Sequence, residues 1–169
     1  MSDVPLPRLR AFAPLFAPGA HTLILGSMPG VASLAAGEYY AHPRNLFWPL
    51  MGELCGVAAT APYAARVAAF TAAGYALWDV LAACARSGSL DSAIVRESIE
   101  VNDFAAFFTA HPGIDRVFCN GTAAHTLFRR HVAALPGVPA SVVRLPSTSP
   151  ANAGQSLAER RAAWQAVRR

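Results

Sequence analysis

Short apolar runs rich in β-branched and aromatic residues alternate along this chain with longer, alanine-rich segments of helical spacing. The four apolar runs cover residues 21–27, 75–80, 116–120 and 141–145, and each is bounded by glycine or proline. This alternation is typical of helices that cover a mostly parallel sheet. We therefore predict an α/β protein, and the length of 169 residues fits a single domain over residues 1–169.

Several residues mark where the helices begin and end. Asn102 and Thr122 are predicted to cap the starts of two helices. Gly56 and Gly74 are predicted to take the left-handed conformation that often ends a helix. The predicted helices cover five segments: 49–55, 63–73, 103–110, 122–134 and 156–167.

The basic residues are all arginine, because the sequence contains no lysine. This absence excludes proteins that depend on a P-loop lysine, a Schiff-base lysine or a kinase-type phosphate lysine. The formal net charge of +4 and the forked guanidinium groups suit phosphate or nucleic-acid contacts. Arginine enrichment also follows from genome base composition, so both interpretations stay open.

The three cysteines, Cys55, Cys84 and Cys119, are scattered and form no Cys-x-x-Cys pair. This spacing fits neither a zinc ribbon nor a disulfide framework. An odd number of cysteines and the lack of an apolar leader predict a reducing cytoplasm. No apolar run reaches the roughly 18 residues of a membrane-spanning helix.

The first segment with chemical potential is Gly26-Ser27-Met28-Pro29-Gly30, directly after the first predicted strand. Two glycines around a proline let the backbone turn sharply and present its amides to a ligand. Methionine in the middle position excludes the nucleophile elbow of α/β hydrolases. An ordinary turn remains the alternative interpretation.

The second segment, residues 39–48, reads Tyr-Tyr-Ala-His-Pro-Arg-Asn-Leu-Phe-Trp. Tyrosine stacks on bases, Arg44 can contact phosphate and Asn45 can position water, so the segment predicts a nucleobase pocket. Its final phenylalanine and tryptophan are predicted to be core anchors instead. His42 either holds a turn by hydrogen bonds or takes part in catalysis.

The third segment, residues 145–153, is a small polar loop at the end of the last predicted strand, stiffened by prolines. A rigid loop with little side-chain bulk can enter a DNA groove and hold phosphates through hydroxyls and free amides. The alternative is an ordinary connection to the last helix, capped by Asn152 or Ser156. The predicted DNA contacts are Pro146, Ser147, Thr148, Ser149, Pro150 and Asn152.

Together these segments resemble the uracil-DNA glycosylase superfamily, particularly its hypoxanthine-DNA (deoxyinosine) glycosylase branch, with the mismatch-specific uracil glycosylases as relatives. The Tyr-Tyr-Ala-His-Pro-Arg-Asn-x-Phe-Trp motif carries most of the resemblance, and the Asn-Gly-Thr-Ala-Ala sequence at 120–124 and Trp164 add to it. The resemblance implies a three-layer α/β/α sandwich around a four-stranded, mostly parallel sheet. It also implies an enzyme that flips a damaged base out of DNA and hydrolyses its glycosidic bond without a cofactor or metal.

The resemblance implies a role for individual residues. Met28 stands where the mismatch-specific enzymes have their catalytic asparagine, and Asn45 matches the asparagine that holds the attacking water in the hypoxanthine branch. Leu145 stands where the uracil-specific branches have a histidine, so uracil is expected to fit poorly. The implied base pocket comprises Gly26, Ser27, Met28, Pro29, Gly30, Tyr40, which would stack on the base, and His42.

The expected partner is damaged double-stranded or single-stranded DNA, bound by a monomer that is nucleoid-associated in a bacterial cytoplasm. Neither a membrane nor an iron–sulfur cluster is expected, since three scattered cysteines cannot supply four ligands. Two alternatives stay open: a uracil or mismatch-specific glycosylase, and a non-catalytic nucleotide- or DNA-binding module.

Overall fold

The computed structural model describes residues 5–169. Its strands, numbered along the chain, are β1 (Arg8–Arg10), β2 (Thr22–Gly26), β3 (Tyr75–Asp79), β4 (Leu81–Ala85), β5 (Glu100–Val101), β6 (Arg116–Asn120) and β7 (Ser141–Leu145). Its helices are α1 (Val31–Ala36), α2 (Phe47–Cys55), α3 (Tyr63–Ala72), α4 (Phe104–Ala110), α5 (Thr122–His131) and α6 (Leu157–Trp164). Short 3-10 turns cover Asp91–Ala93, Arg96–Ser98 and Gln165–Val167.

The central sheet has four parallel strands in the order β3-β2-β6-β7. It confirms the four predicted strands, with bounds that differ only at the ends of β2 and β3. Strands β2 and β3 are buried along their whole length, which explains why their sequences are continuously apolar rather than alternating.

Helices cover both faces of this sheet, which confirms the α/β/α sandwich. Successive residues of a strand point to opposite faces, so Leu23 and Leu25 join one core cluster and Ile24 joins the other. The first cluster packs against phenylalanines of α4 and α5. The second packs against α2, α3 and α6 and includes the fully buried Phe47 and Trp164.

A second, antiparallel sheet with the order β1-β4-β5 was not predicted. Strand β4 begins two residues after the end of β3, in a stretch that is apolar on both sides of Asp79. Strand β5 has only two residues, too few for a periodic pattern. Helix α1, with six residues, was also missed.

The predicted cap at Asn102 is wrong by one position. The Asp103 side chain accepts a hydrogen bond from the Ala106 N–H at 3.0 Å and caps α4. The Asn102 amide instead donates to the backbone carbonyl of Asp79 at 2.8 Å. The side chain of Asn102 therefore ties the loop before α4 to the end of β3.

The cap predicted at Thr122 is also wrong, because Gly121 takes the cap position of α5 with φ of +93° and no side-chain bond. Helix α6 is capped by Ser156, one of the two predicted alternatives, in a reciprocal capping box with Glu159. Gly56 has the predicted left-handed conformation, and Gly74 has φ of +89°. Helix α2 begins at Phe47, two residues earlier than predicted, and α5 ends at His131, three earlier.

Candidate active site

A cavity of about 150 Å³ lies at the carboxyl edge of the parallel sheet, where β3, β2 and β6 end side by side. Ligand sites of open α/β sheets are found at this edge, and a cavity of this size holds an aromatic ring. All three chemically unusual segments reach it, although they are distant in sequence. The lining includes twelve predicted residues: Gly26, Ser27, Met28, Pro29, Gly30, Tyr40, His42, Asn45, Ser147, Thr148, Ser149 and Pro150.

Three predicted DNA contacts lie outside this lining. Arg44 is exposed beside the cavity. Pro146 and Asn152 line a neighbouring groove together with the exposed Arg144. The cavity and this groove share Ser147.

The turn from Gly26 to Gly30 forms one wall and is held from behind by a buried arginine. Arg86 is 2% exposed and donates to the Pro29 carbonyl at 2.5 Å and to the Gly88 carbonyl at 2.9 Å. A β-carbon placed on Gly26 would lie 2.9 Å from the Tyr40 hydroxyl and closer still to Asp79 Oδ1. Glycine is therefore required at the first position of the turn.

Tyr40 adopts the left-handed backbone conformation that non-glycine residues seldom take, with φ of +54°. Its ring stacks on Phe47, with centroids 4.2 Å apart and planes 22° from parallel. Its buried hydroxyl has no hydrogen-bond partner among residues 5–169. Burial, with the nearby Asp79 as a second cause, raises the pKa of this hydroxyl well above its ordinary value.

Asn45 lies half-buried in the cavity wall just before α2. Its side-chain oxygen accepts a hydrogen bond from the Phe47 N–H at 2.9 Å. This bond fixes the direction of the carboxamide, and an amide oxygen has a second lone pair that can accept another hydrogen. Asn45 is thus an oriented polar group at the cavity surface.

His42 holds the turn that leads into this helix. Its Nδ1 accepts a hydrogen bond from the Arg44 N–H at 3.1 Å, and its carbonyl accepts one from the Asn45 N–H at 2.9 Å. Of the two predicted interpretations, the structure supports turn formation, while His42 also lines the cavity.

The loop after β7 is joined to the other walls through Asn120 and Thr148. The Asn120 amide donates to Thr148 Oγ1 at 2.8 Å, and its oxygen accepts from the Thr148 N–H at 2.9 Å. The Thr148 carbonyl in turn accepts from the Leu46 N–H at 3.0 Å. This network connects the end of β6, the loop and the segment that carries Asn45.

Two of the predicted DNA contacts, Thr148 and Asn152, form hydrogen bonds within the protein. Thr148 is fully buried, and its side chain accepts the hydrogen bond from Asn120. The Asn152 amide donates to the Ser147 carbonyl at 3.1 Å and to Gln155 Oε1 at 3.0 Å. The buried Arg160 donates to the carbonyls of Asn152 and Gln155 and holds the same loop.

Asp79 and Arg86 are the principal site residues that the sequence reasoning missed. Asp79 is the last residue of β3, is 4% exposed and lines the cavity. Burial, together with Asp91 and against the opposing effect of Arg86, raises the pKa of the Asp79 carboxyl to about 7. The available signal was a carboxylate closing an otherwise apolar strand.

Within residues 5–169, no group of three or more His, Cys, Asp or Glu side chains lies close enough to hold a metal ion. Cys55, Cys84 and Cys119 are free thiols, two of them buried. The helices in this part of the chain are too short or too polar to cross a membrane.

A family model described as the uracil DNA glycosylase superfamily matches residues 13–168. The chain belongs to this superfamily. The match includes all three walls of the cavity, so the resemblance seen in the sequence motifs is confirmed.

Two archaeal relatives named hypoxanthine DNA glycosylase are similar to the chain. The protein from Methanosarcina acetivorans is 33% identical over 159 residues, which cover 94% of this chain and 96% of the relative. The protein from Methanosarcina barkeri is 35% identical over 113 residues, which cover 66% of this chain and 70% of the relative. A solution NMR structure from M. acetivorans, described as a candidate uracil DNA glycosylase, superposes with a TM-score of 0.77 at 31% identity, covering 95% of this chain and 96% of that one.

Proposed function

We propose that this chain is a monofunctional DNA glycosylase that hydrolyses the N-glycosidic bond of deoxyinosine, releasing hypoxanthine and leaving an abasic site. The proposal rests on one observation above all: the oriented Asn45 carboxamide, the Gly26–Gly30 turn and Tyr40 line the same cavity. Membership in a superfamily of DNA glycosylases and the names of both curated relatives support it.

In this proposal the damaged nucleotide leaves the helix and its base enters the cavity. Tyr40 stacks on the base, a contact of about 1–3 kcal/mol. The Phe47 ring stacks on the other face of the Tyr40 ring and supports it. Flipping costs a few kcal/mol, less for a mispaired base such as hypoxanthine opposite thymine, so the DNA contributes to selectivity.

Asn45 holds the attacking water through the free lone pair of its side-chain oxygen. Because an amide does not bind a proton near neutral pH, its contribution is orientation rather than general-base catalysis. The backbone N–H groups of the Gly26–Gly30 turn face the negative charge that develops on the departing purine, an electrostatic effect that often supplies the largest share of the rate.

The DNA strand lies across the rim formed by Ser147, Ser149 and Pro150. Arg44 and Arg144 are both exposed, and Arg144 lines the neighbouring groove. Both contact phosphates in the proposal. The enzyme acts as a single-domain monomer on nucleoid DNA in the cytoplasm, where its three free thiols stay reduced.

Uracil is the second candidate substrate, because the family and the solved relative carry that name. Leu145 is 3% exposed, packs in the core and is absent from the cavity lining. No cation therefore stands at this position to stabilise a uracil anion, which favours hypoxanthine.

The experiment is a strand-cleavage assay on duplexes that carry inosine, uracil or no damage, followed by alkali to break abasic sites. We expect alkali-dependent cleavage at inosine and much slower cleavage at uracil. Faster cleavage at uracil would support the second candidate. Binding to damaged DNA without cleavage would mark a non-catalytic module.

The role of Asn45 is tested by replacing it with serine and with alanine. Serine retains a short acceptor for the Phe47 N–H, as in the turns that Ser and Asn share, but does not reach the water. Both variants are expected to lose about 10²-fold or more in single-turnover rate, as misplacement of a reactant does, with unchanged affinity for inosine DNA. A full rate in Asn45→Ser would assign the water to another residue, with His42 next in line.

A further inference from the structure

Asp79 is a buried carboxyl with no role in the mechanism proposed above. It is the last residue of β3, after four buried apolar or aromatic residues, and pairs in register with Gly26 of β2. It is 4% exposed and lines the cavity beside the Gly26–Gly30 turn. The carboxyl therefore lies where the base would sit.

Two buried polar atoms in the cavity wall have no protein partner. Asp79 Oδ2 and the Tyr40 hydroxyl are both buried, and neither forms a hydrogen bond within residues 5–169. Buried polar side-chain atoms are nearly always paired. Two orphaned groups in the wall of one cavity indicate that a ligand completes their hydrogen bonding.

The surroundings of Asp79 favour its neutral form. Burial is the main cause that raises its pKa to about 7, and Asp91 on the other side of the turn acts in the same direction. The buried guanidinium of Arg86 opposes both. The Asp79 carboxyl therefore holds a proton much closer to neutral pH than an ordinary aspartate does.

The two buried tyrosines nearest to Asp79 are uncharged. Tyr39 and Tyr40 are neutral phenols, and burial followed by proximity to Asp79 raises the pKa of each. His42 shares the cavity, and its Nδ1 accepts a hydrogen bond from the Arg44 N–H.

We propose that protonated Asp79 is a catalytic acid that donates its proton to N7 of the flipped purine as the glycosidic bond breaks. The inference rests on the proposed function. Hypoxanthine has two unprotonated ring nitrogens besides the one bound to the sugar, and N7 lies in the same five-membered ring as the departing N9.

The N9–C1′ bond breaks and its electron pair goes to the purine, while the Asp79 proton forms the N7–H bond, so hypoxanthine departs neutral. The water held by Asn45 forms the new O–C1′ bond and loses one proton to solvent. The Asp79 carboxylate regains a proton from solvent, and no other reactant is needed.

This acid also selects the substrate. Uracil has no unprotonated ring nitrogen besides the one that leaves the sugar, so it cannot accept the proton in the same way. The missing cation at Leu145 and the acid at Asp79 then act together, because the pocket gives a proton to a purine leaving group and has no cation at position 145 for a pyrimidine anion.

The test is the pH profile of single-turnover excision from an inosine duplex between pH 5.5 and 9. We expect the wild-type rate to fall about tenfold per pH unit above a midpoint near 7. Asp79→Asn, which keeps the shape, should be about 10²–10⁴-fold slower at pH 6 and show no such fall. Asp91→Asn is the matched control and should keep the fall with its midpoint moved to lower pH.

A duplex with 7-deaza-2′-deoxyinosine, in which C–H replaces N7, gives the second measurement. The ratio of wild-type to Asp79→Asn rates should be large on inosine and close to one on the 7-deaza substrate. If Asp79→Asn does not fold, the wild-type enzyme alone still decides, since the alkaline fall should occur on inosine and be absent on 7-deaza-inosine.

Three results would overturn the assignment: a wild-type rate that rises through pH 7, an unchanged profile in Asp79→Asn, or an equal variant effect on both substrates. Each of them leaves hypoxanthine release intact. A wild-type protein that releases no hypoxanthine at any pH would instead refute the proposed function itself.

Discussion

Replacement of Asn120 by alanine tests how the three walls of the cavity are held together. The substitution removes a donor to Thr148 Oγ1 and an acceptor of the Thr148 N–H, at 2.8 and 2.9 Å. Thr148 is fully buried, so water does not readily replace either partner. The Thr148 carbonyl also bonds to Leu46, next to Asn45, so a shifted loop moves the water-holding residue.

The magnitude follows from these two bonds. A buried polar group that loses its partner costs about 1–3 kcal/mol, so two groups cost about 2–4 kcal/mol when the loop relaxes in part. This is a large fraction of the roughly 5–15 kcal/mol by which domains are stable. We expect Asn120→Ala to lower the free energy of unfolding by that amount and to slow hypoxanthine release.

The assay is urea unfolding of the wild type, Asn120→Ala, Thr148→Val and the double variant. Since both single substitutions break the same hydrogen bond, their costs should not add, and the coupling free energy should be about 1 kcal/mol or more. Strict additivity, or a cost of Asn120→Ala below about 1 kcal/mol, would refute this account of how the site is assembled.

Three further predictions concern stability, excision rate and DNA binding. Because the pKa of Asp79 rises from 3.8 to about 7 on folding, the folded state binds this proton more tightly, and the free energy of unfolding should fall between about pH 4 and 7. At ~1.4 kcal/mol per pH unit, Asp79→Asn should remove up to about 4 kcal/mol of that fall, measured by urea unfolding at pH 4 and 8. The same pH dependence of the unfolding free energy in wild type and variant would contradict this prediction. Gly26→Ala places a methyl group 2.9 Å from a hydroxyl and should cost about 1–3 kcal/mol and most of the excision rate, whereas Gly154→Ala, with nothing within 4 Å, should change neither. Arg160→Met should lower the melting temperature and weaken DNA binding, because it removes the donor to the Asn152 and Gln155 carbonyls of the loop. Arg161→Met, which breaks only an exposed ion pair with a worth of about 0–1 kcal/mol, is the control. Equal effects of the two substitutions would contradict the role of Arg160 in holding the loop.

The parallel sheet was predictable because its strands are buried on both faces, so β2 and β3 appear in the sequence as unbroken apolar runs. The small sheet was not, since β1 and β5 have three and two residues and are stabilised by pairing with β4. Pairing between distant segments leaves no local pattern.

The same reason separates the predicted and missed site residues. Tyr40 and Asn45 lie in one dense polar and aromatic segment, which local sequence shows. Asp79 and Arg86 become site residues only through topology, because β3 pairs with β2 and brings the carboxyl beside Gly26. The choice between Asn102 and Asp103 as the cap also depends on tertiary structure, since the Asn102 amide is bound to the end of β3.

The most direct measurement is chromatographic identification of the first base released from a duplex that contains one inosine and one uracil. The account predicts that free hypoxanthine appears first, in equal amount to the alkali-labile sites formed at inosine, while the uracil stays in the strand. Earlier release of uracil, or formation of abasic sites without free hypoxanthine, would contradict it.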